Sequence, residues 1–311
     1  MTVADTLTAL GGVATWAALR QHHSARAVRR AAGGEIVRLT RGRYAVPSVV
    51  EHPREAARLG GALSHLSAAL SYGWKVKTSP DAAHVTVARK RRVRAEHAVG
   101  VALHHADLDE ADLDVSTLAQ AESPGPGVAR TSALRTVMDC ARALPFDEAL
   151  TVADSALRAR AVSQAQLAAA AAKARGPGSA AVRRVAAFAD ARSAGPLESV
   201  LRALAIECGL RLTPQLAIAE PGIYAIADLG DPLLRLVLEA EGYQTHGTRS
   251  GLRRDCRRHT EFAVIGWTSL RYAYEDVMFE QDWVRWTLMT WLCTRAGLPT
   301  PAAPRRRKFA A

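Results

Sequence analysis

The sequence predicts a multidomain protein of mixed α+β and α/β class, made of three folded parts and a short basic tail. Three observations predict it. The chain has 311 residues, about twice the ~150 residues of an average domain. Its opening reads as three short helices and a hairpin. Late in the chain, Ala227-Asp228 and Leu236 to Gly242 read as two adjacent buried strands that end in acids. The divisions expected are 1–47, 48–192, 193–298 and a tail over 299–311.

The helical patterns run from Ala4 to Leu10, Thr15 to Gln21 and Ser24 to Ala32, broken by Gly11-Gly12 and His22-His23. Ile36 to Val46 follows as a hairpin around Arg41-Gly42-Arg43, where glycine permits the tight turn. Helix, helix, helix, hairpin is a winged helix. Ser24 is placed as an N-cap, and the third helix carries Arg26, Arg29 and Arg30 on one face at i, i+3 and i+4. In a helix-turn-helix unit that helix enters the DNA major groove, and Arg41 and Arg43 would reach phosphates or a narrow minor groove. A winged helix can also dock proteins, but the positive charge on the third helix argues for nucleic acid. The glycine pair, the arginine-bearing helix and Arg41-Gly42-Arg43-Tyr44-Ala45-Val46 resemble the N-terminal region of AbiEi-like type IV antitoxins. That resemblance implies a repressor-type DNA reader with a nucleotidyltransferase-like toxin as its cognate partner.

The middle region also fits the antitoxin pattern, as a small mixed α/β unit. Ala62 to Tyr72 reads as a helix, His84 to Val87 and Val101 to His105 as strands, and Arg130 to Asp139 as a capped turn entering a helix. Arg89-Lys90-Arg91-Arg92-Val93-Arg94 is the densest basic run, either a solvated hairpin tip or a clamp on a nucleic-acid backbone. Phe146 to Ala174 is alanine-rich and helical up to a break at Arg175-Gly176-Pro177-Gly178, and a further helix is expected from Ala180 to Ala191.

In the last part, Gly195-Pro196-Leu197-Glu198-Ser199 opens an amphipathic helix ahead of the two acidic strands. Residues i and i+2 of a strand share a face, so Glu239 and Glu241 would lie about 6.6 Å apart on one side. Like charges on a short apolar strand need a cation, a proton or a basic partner. Arg253, Arg254, Arg257 and Arg258 would form a basic stripe on the helix that follows, either a solvated face or a phosphate-facing one. With Gly266-Trp267-Thr268-Ser269-Leu270-Arg271-Tyr272 and Glu275-Asp276-Val277, this order resembles the very-short-patch-repair-like endonuclease domain of the PD-(D/E)xK superfamily. The resemblance implies Glu198 as the helix carboxylate, Asp228 and Glu239 as the core acids and metal ligands, and His246 as a proton-transfer or phosphate-contacting group. Glu241 stands where the superfamily pattern has a lysine. A hard Mg²⁺ or Mn²⁺ ion suits such oxygen ligands, and it would acidify a bound water and neutralise charge at the scissile phosphate. Trp283, Trp286 and Trp291 recur on one side of a terminal helix, which reads as a core-packed face or a homodimer face.

The formal net charge of +11 implies affinity for polyanions. No apolar stretch reaches the ~18 residues of a membrane span and no signal peptide is apparent, so a cytoplasmic protein without membrane partners is expected. Cys140, Cys208, Cys256 and Cys293 form no zinc-like spacing and read as free thiols. His22-His23 and His104-His105 lack a third ligand at metal spacing and read as surface pairs. No phosphate-binding glycine loop, dinucleotide fingerprint, zinc-protease motif or serine-hydrolase motif occurs. The expected function is DNA binding joined to a divalent-metal-dependent endonuclease acting on double-stranded DNA. The alternative is a non-catalytic antitoxin-like repressor that keeps a degenerate nuclease fold; a protein acting on RNA is a third, weaker reading.

Overall fold

The computed structural model describes residues 2–10, 13–40, 42–114, 129–220, 223–241 and 249–304. Among them are thirteen α-helices and three sheets, a mixed α+β architecture. The chain divides into two compact units, Met1–Pro196 and Leu197–Ala311, so the winged-helix elements and the middle region fall in one unit. No helix among the described residues is long and apolar enough to cross a membrane.

The first unit opens with α1 (Val3–Ala9), β1 (Val13–Thr15), α2 (Trp16–Arg20), α3 (Ala25–Ala31), β2 (Val37–Thr40) and β3 (Arg43–Ala45). Its antiparallel sheet runs β1-β3-β2, which with three helices makes a winged helix. Local chemistry sets the helix starts. Thr2 and Asp5 form a capping box, and the Ser24 side chain accepts from the Ala27 N–H at 3.1 Å, the cap expected there. Gly42 turns the wing at φ +79°, a conformation that costs a residue with a Cβ about 1 kcal/mol or more. Leu7, Leu19, Val28, Ile36 and Ala45 are buried in this part. His23 is tied inward rather than free at the surface, its Nε2 lying 2.6 Å from Thr6 Oγ1.

The middle region contains α4 (Ser48–Leu59), β4 (Ala62–Leu63), α5 (His65–Ser71), β5 (Ala83–Val87), β6 (Val101–His105), β7 (Leu113–Asp114) and β8 (Arg130–Thr131). Then come α6 (Ala133–Ala143), α7 (Phe146–Arg158), α8 (Gln164–Lys173) and α9 (Ser179–Phe188). The sheet order is β6-β5-β4-β8-β7. Three expectations are corrected. Ala62 to Tyr72 is not one helix, because Ala62 and Leu63 pair with Thr86 and Val85 and the helix starts only at His65. The alanine-rich stretch is two helices, because Ser163 and Gln166 form a capping box that starts α8 afresh. The Arg89 to Arg94 run is no hairpin tip, since β5 and β6 pair in parallel and it lies on their crossover connection.

The second unit is built from α10 (Pro196–Glu207), β9 (Thr213–Glu220), β10 (Ile223–Asp231), β11 (Leu236–Glu241), α11 (Arg249–Val264), β12 (Thr268–Ala273), α12 (Tyr274–Phe279) and α13 (Gln281–Ala296). Its mixed sheet runs β12-β11-β10-β9, with β11 and β12 parallel and the other pairs antiparallel. One core joins Leu201 and Leu204 of α10, Leu236 and Leu238 of β11, Val277 of α12 and Leu288 of α13. The other joins Val237 of β11 to Phe262 of α11, so helices cover both faces of the sheet. Each such leucine contributes about 1.5–3 kcal/mol by leaving water. Gly230 is required by close approach: a Cβ there would lie 2.5 Å from Leu216 Cδ2. Trp283 packs on this core, edge-on to Tyr272, as does Trp291, whereas Trp286 Nε1 donates to the Pro301 carbonyl at 2.9 Å.

Candidate functional site

Strand alternation decides which acids meet. Leu236, Leu238 and Ala240 face the α10 core, so Val237, Glu239 and Glu241 point to the α11 side. The antiparallel ladder between β10 and β11 pairs Asp231, Gly230 and Leu229 with Leu236, Val237 and Leu238. At the next position the Asp228 side chain takes over, its Oδ2 accepting the Ala240 N–H at 2.9 Å. The sheet therefore opens at Asp228 and delivers its carboxylate beside β11.

Across the sheet, Gln215 of β9 sits in the left-handed region at φ 51°, an uncommon conformation for a side-chain-bearing residue and one that concentrates at functional sites. Its Nε2 donates to Glu198 Oε2 at 3.0 Å, and it stands opposite Asp228 between the Leu216–Ala227 and Pro214–Leu229 pairs of the two strands. Gln215 thus brings the α10 acid beside the β10 acid. Glu239 is 6% exposed. Its burial, reinforced by the charge of Asp228, pushes its carboxyl up to about 8 against the attraction of Arg258. Burial raises Asp228 as well, opposed chiefly by the Ala240 N–H.

Two arginines answer these charges. Arg258 Nη2 of α11 lies 2.6 Å from Glu239 Oε1 and also donates to the Ile226 carbonyl. Arg271 of β12, opposite Glu239 in register, donates through Nε to Glu241 Oε1 at 2.7 Å. With Ser269 they line one cleft, and the buried Ser269 Oγ has no hydrogen-bond partner there. The cleft offers the carboxylate oxygens of Glu239 and Glu241, with the His259 imidazole and an orphaned hydroxyl beside them. That chemistry fits a hard divalent cation, and Asp228 and Glu239 would hold it.

The structure brings Asp228, Glu239 and Glu241 close enough for their charges to act on one another, and places Glu198 beside them through Gln215. His246 lies outside the described residues. Arg253 and Arg257 are exposed on α11, and the side chain of Arg254 lies outside the described set. Arg258 leaves the expected basic stripe and turns inward to Glu239. Sequence reading missed Gln215, Arg271 and the role of Arg258. The signal available was the acids themselves, since two inward glutamates on an apolar strand demand nearby cations. In the winged helix, Arg26, Arg29 and Arg30 are all exposed on α3, with the Arg29 guanidinium 5.8 Å from the Trp16 ring centroid. Arg41 lies outside the described residues, and Arg43 is described only as backbone in β3. His104 is corrected: it is half-buried and gathers with His65 and His84, so a third imidazole is present after all.

No family model matches the chain. Two uncharacterized proteins of Mycobacterium tuberculosis, from two strains, are each 32% identical over 149 residues, covering 47% of this chain and 55% of the relative. The chain thus spans about half the length of the curated relatives it matches. Among solved structures, the crystal structure of the RV2827C protein from Mycobacterium tuberculosis is similar at a TM-score of 0.33 and 15% identity, over 70% of this chain and 87% of that one.

Proposed function

We propose that the second unit is a divalent-metal-dependent phosphodiesterase that cuts or nicks DNA, with the winged helix as its DNA reader, working in the cytoplasm. The observation that carries this reading is the convergence of Asp228 and Glu239. Each is raised chiefly by burial and also by neighbouring carboxylates, Glu241 for Asp228, and Asp228 with Glu241 for Glu239, so the site gains stability from a cation. A bound Mg²⁺ or Mn²⁺ supplies Lewis acidity and charge neutralisation at the scissile phosphate. Asp228 is oriented by the Ala240 N–H, which keeps its carboxylate in place at the sheet opening. The exposed Arg253 and Arg257 extend along α11, suited to holding a phosphate backbone. Glu241 with Arg271 stands where a lysine would be expected, so a guanidinium lies next to the acids in place of an ammonium.

A second reading is favoured by a different observation. Glu239 and Glu241 already have arginine partners, which satisfies their charge without a metal. On that reading the protein is a non-catalytic, antitoxin-like repressor of the AbiEi type, with a nucleotidyltransferase-like toxin as partner and the nuclease-like fold retained as a docking or homodimer surface.

The experiment compares the full chain with Asp228→Ala and Glu239→Ala variants on plasmid and single-stranded DNA over a titration of Mg²⁺ and Mn²⁺. Metal-dependent nicking lost in both variants supports the phosphodiesterase. No nicking by any of the three, together with metal-independent, salt-sensitive duplex binding that needs Arg26, Arg29 and Arg30, supports the repressor.

A further inference from the structure

We propose that His65, His84 and His104 form a binding site for a zinc-type transition-metal dication, separate from the carboxylate cleft of the second unit.

The site grows from strand alternation in the middle region. On β5, Ala83, Val85 and Val87 join the apolar core with Leu63 and Ala56, so His84 and Thr86 point to the opposite face. Parallel pairing sets Thr86 beside His104 of β6. Onto that face comes His65, the first residue of α5, 6% exposed and held at φ 48°. A left-handed residue with a side chain is strained and persists where surrounding structure holds it.

The three rings place their nitrogens within reach of one ion once the stacked imidazoles turn toward it. One nitrogen from each of the three rings lies within 4.8 Å of the others. His84 Nδ1 and His104 Nε2 are 3.1 Å apart. Two nitrogens bound to one tetrahedral Zn²⁺ at about 2.0–2.1 Å lie about 3.3–3.4 Å apart, so that pair already has the required spacing. The His65 ring stacks on His104 at 3.7 Å between centroids and 19° between planes. Closing the widest separation needs a side-chain shift of roughly 1.5 Å to reach the tetrahedral spacing.

Outer contacts support the same assignment. His65 Nδ1 lies 3.0 Å from Ser64 Oγ, which leaves Nε2 to ligate, the usual division of labour in a metal-bound histidine. Ser67 Oγ accepts the His84 backbone N–H at 2.8 Å and meets His52 Nδ1 at 2.8 Å, which fixes β5 against α5. Thr86 Oγ1 is buried with no hydrogen-bond partner on the face that carries the imidazoles, a polar atom suited to a metal-bound water. The nearby cation, Arg135, is neutralised by Asp112 and Asp139, each at 2.8 Å. Burial keeps all three rings neutral at physiological pH, the form that ligates. Three imidazoles without a carboxylate favour Zn²⁺, Ni²⁺ or Cu²⁺ over Mg²⁺ or Ca²⁺.

The test uses the full chain stripped with a chelator, then titrated with Zn²⁺ against a chromophoric competitor and separately with Co²⁺ as an optical probe. Stoichiometric Zn²⁺ binding and tetrahedral Co²⁺ bands without thiolate charge transfer are expected. Affinity should fall at least about tenfold in His84→Gln and in His104→Gln. It should be unchanged in His105→Gln, on the exposed neighbour. Circular dichroism without metal shows whether each variant folds; if one does not, the Co²⁺ spectrum of the unaltered protein decides alone. Absence of stoichiometric binding, a thiolate band, or affinity retained in both cluster variants would overturn the assignment and leave a metal-free stack of hydrogen-bonded imidazoles.

Discussion

The carboxylate of Asp228 accepts the backbone N–H of Ala240 at 2.9 Å, just beyond the last backbone pair between their strands, Leu229 with Leu238. One side chain thus closes the ladder and carries half of the proposed metal site. Asp228→Asn keeps an acceptor for that N–H and removes the charge. It should unfold at nearly the unaltered denaturant concentration while losing all metal-dependent nicking, and the pH at which Glu239 titrates should fall. Asp228→Ala leaves the N–H without its partner and should be less stable than Asp228→Asn by about 1–3 kcal/mol. Equal stability of the two variants in urea would show that the contact carries no weight.

Glu239 predicts a pH dependence with a definite sign. Its carboxyl titrates near 8 in the folded chain, against 4.5 for an ordinary glutamate. A raised pKa contributes stability that is fully present below the unfolded value and is lost as pH rises through the folded one. Metal-free protein should therefore lose stability between pH 4.5 and 8 from this group, and Glu239→Gln should gain relative to it across that window. Adding Mg²⁺ should reverse the trend, because the ion favours the ionised carboxylate. Urea unfolding at several pH values, with and without Mg²⁺, reads both; parallel curves for protein and variant would refute the shift.

Arg258 separates the two functional readings. It holds Glu239 at 2.6 Å and would compete with an ion for it. On the phosphodiesterase reading, Arg258→Gln should cost about 1–2 kcal/mol without metal, the loss of a charged hydrogen bond softened by protonation of Glu239. The same variant should then gain more from Mg²⁺ than the unaltered protein does, measured as the rise in melting temperature. On the repressor reading the loss remains and Mg²⁺ restores nothing.

What the sequence made legible was local. Ser24 announces its helix because a hydroxyl at that position satisfies an end N–H, and the alternation of Leu236, Leu238, Glu239 and Glu241 shows a strand with an acidic side. The acids themselves pointed to the carboxylate cleft. What stayed hidden depends on contacts between distant segments. Ala62 and Leu63 look helical until β5 and β8 offer backbone partners. Arg258 looks like one of four surface arginines until the turn of α11 aims it at Glu239. The three histidines stand on separate elements with no motif spacing, so only the packing of α5 on β5 and β6 reveals them.

The winged helix gives a prediction independent of the second unit. Arg26, Arg29 and Arg30 are exposed on α3, whose buried side is Val28 and Ala31, so replacing them with alanine leaves its packed face untouched. Each arginine that neutralises a phosphate adds about 0.9 to the slope of log K against log salt. If all three do so, the triple variant should bind duplex DNA with a slope shallower by about 2.7, while circular dichroism stays close to that of the unaltered chain and the melting temperature falls only by what the Arg29–Trp16 contact contributes. Arg29 is the informative single change, since its guanidinium lies 5.8 Å from the Trp16 ring centroid. It should cost some stability as well as about one unit of slope. An unchanged slope in the triple variant would move DNA binding off α3, and the protein-docking use of the winged helix would then be the better account.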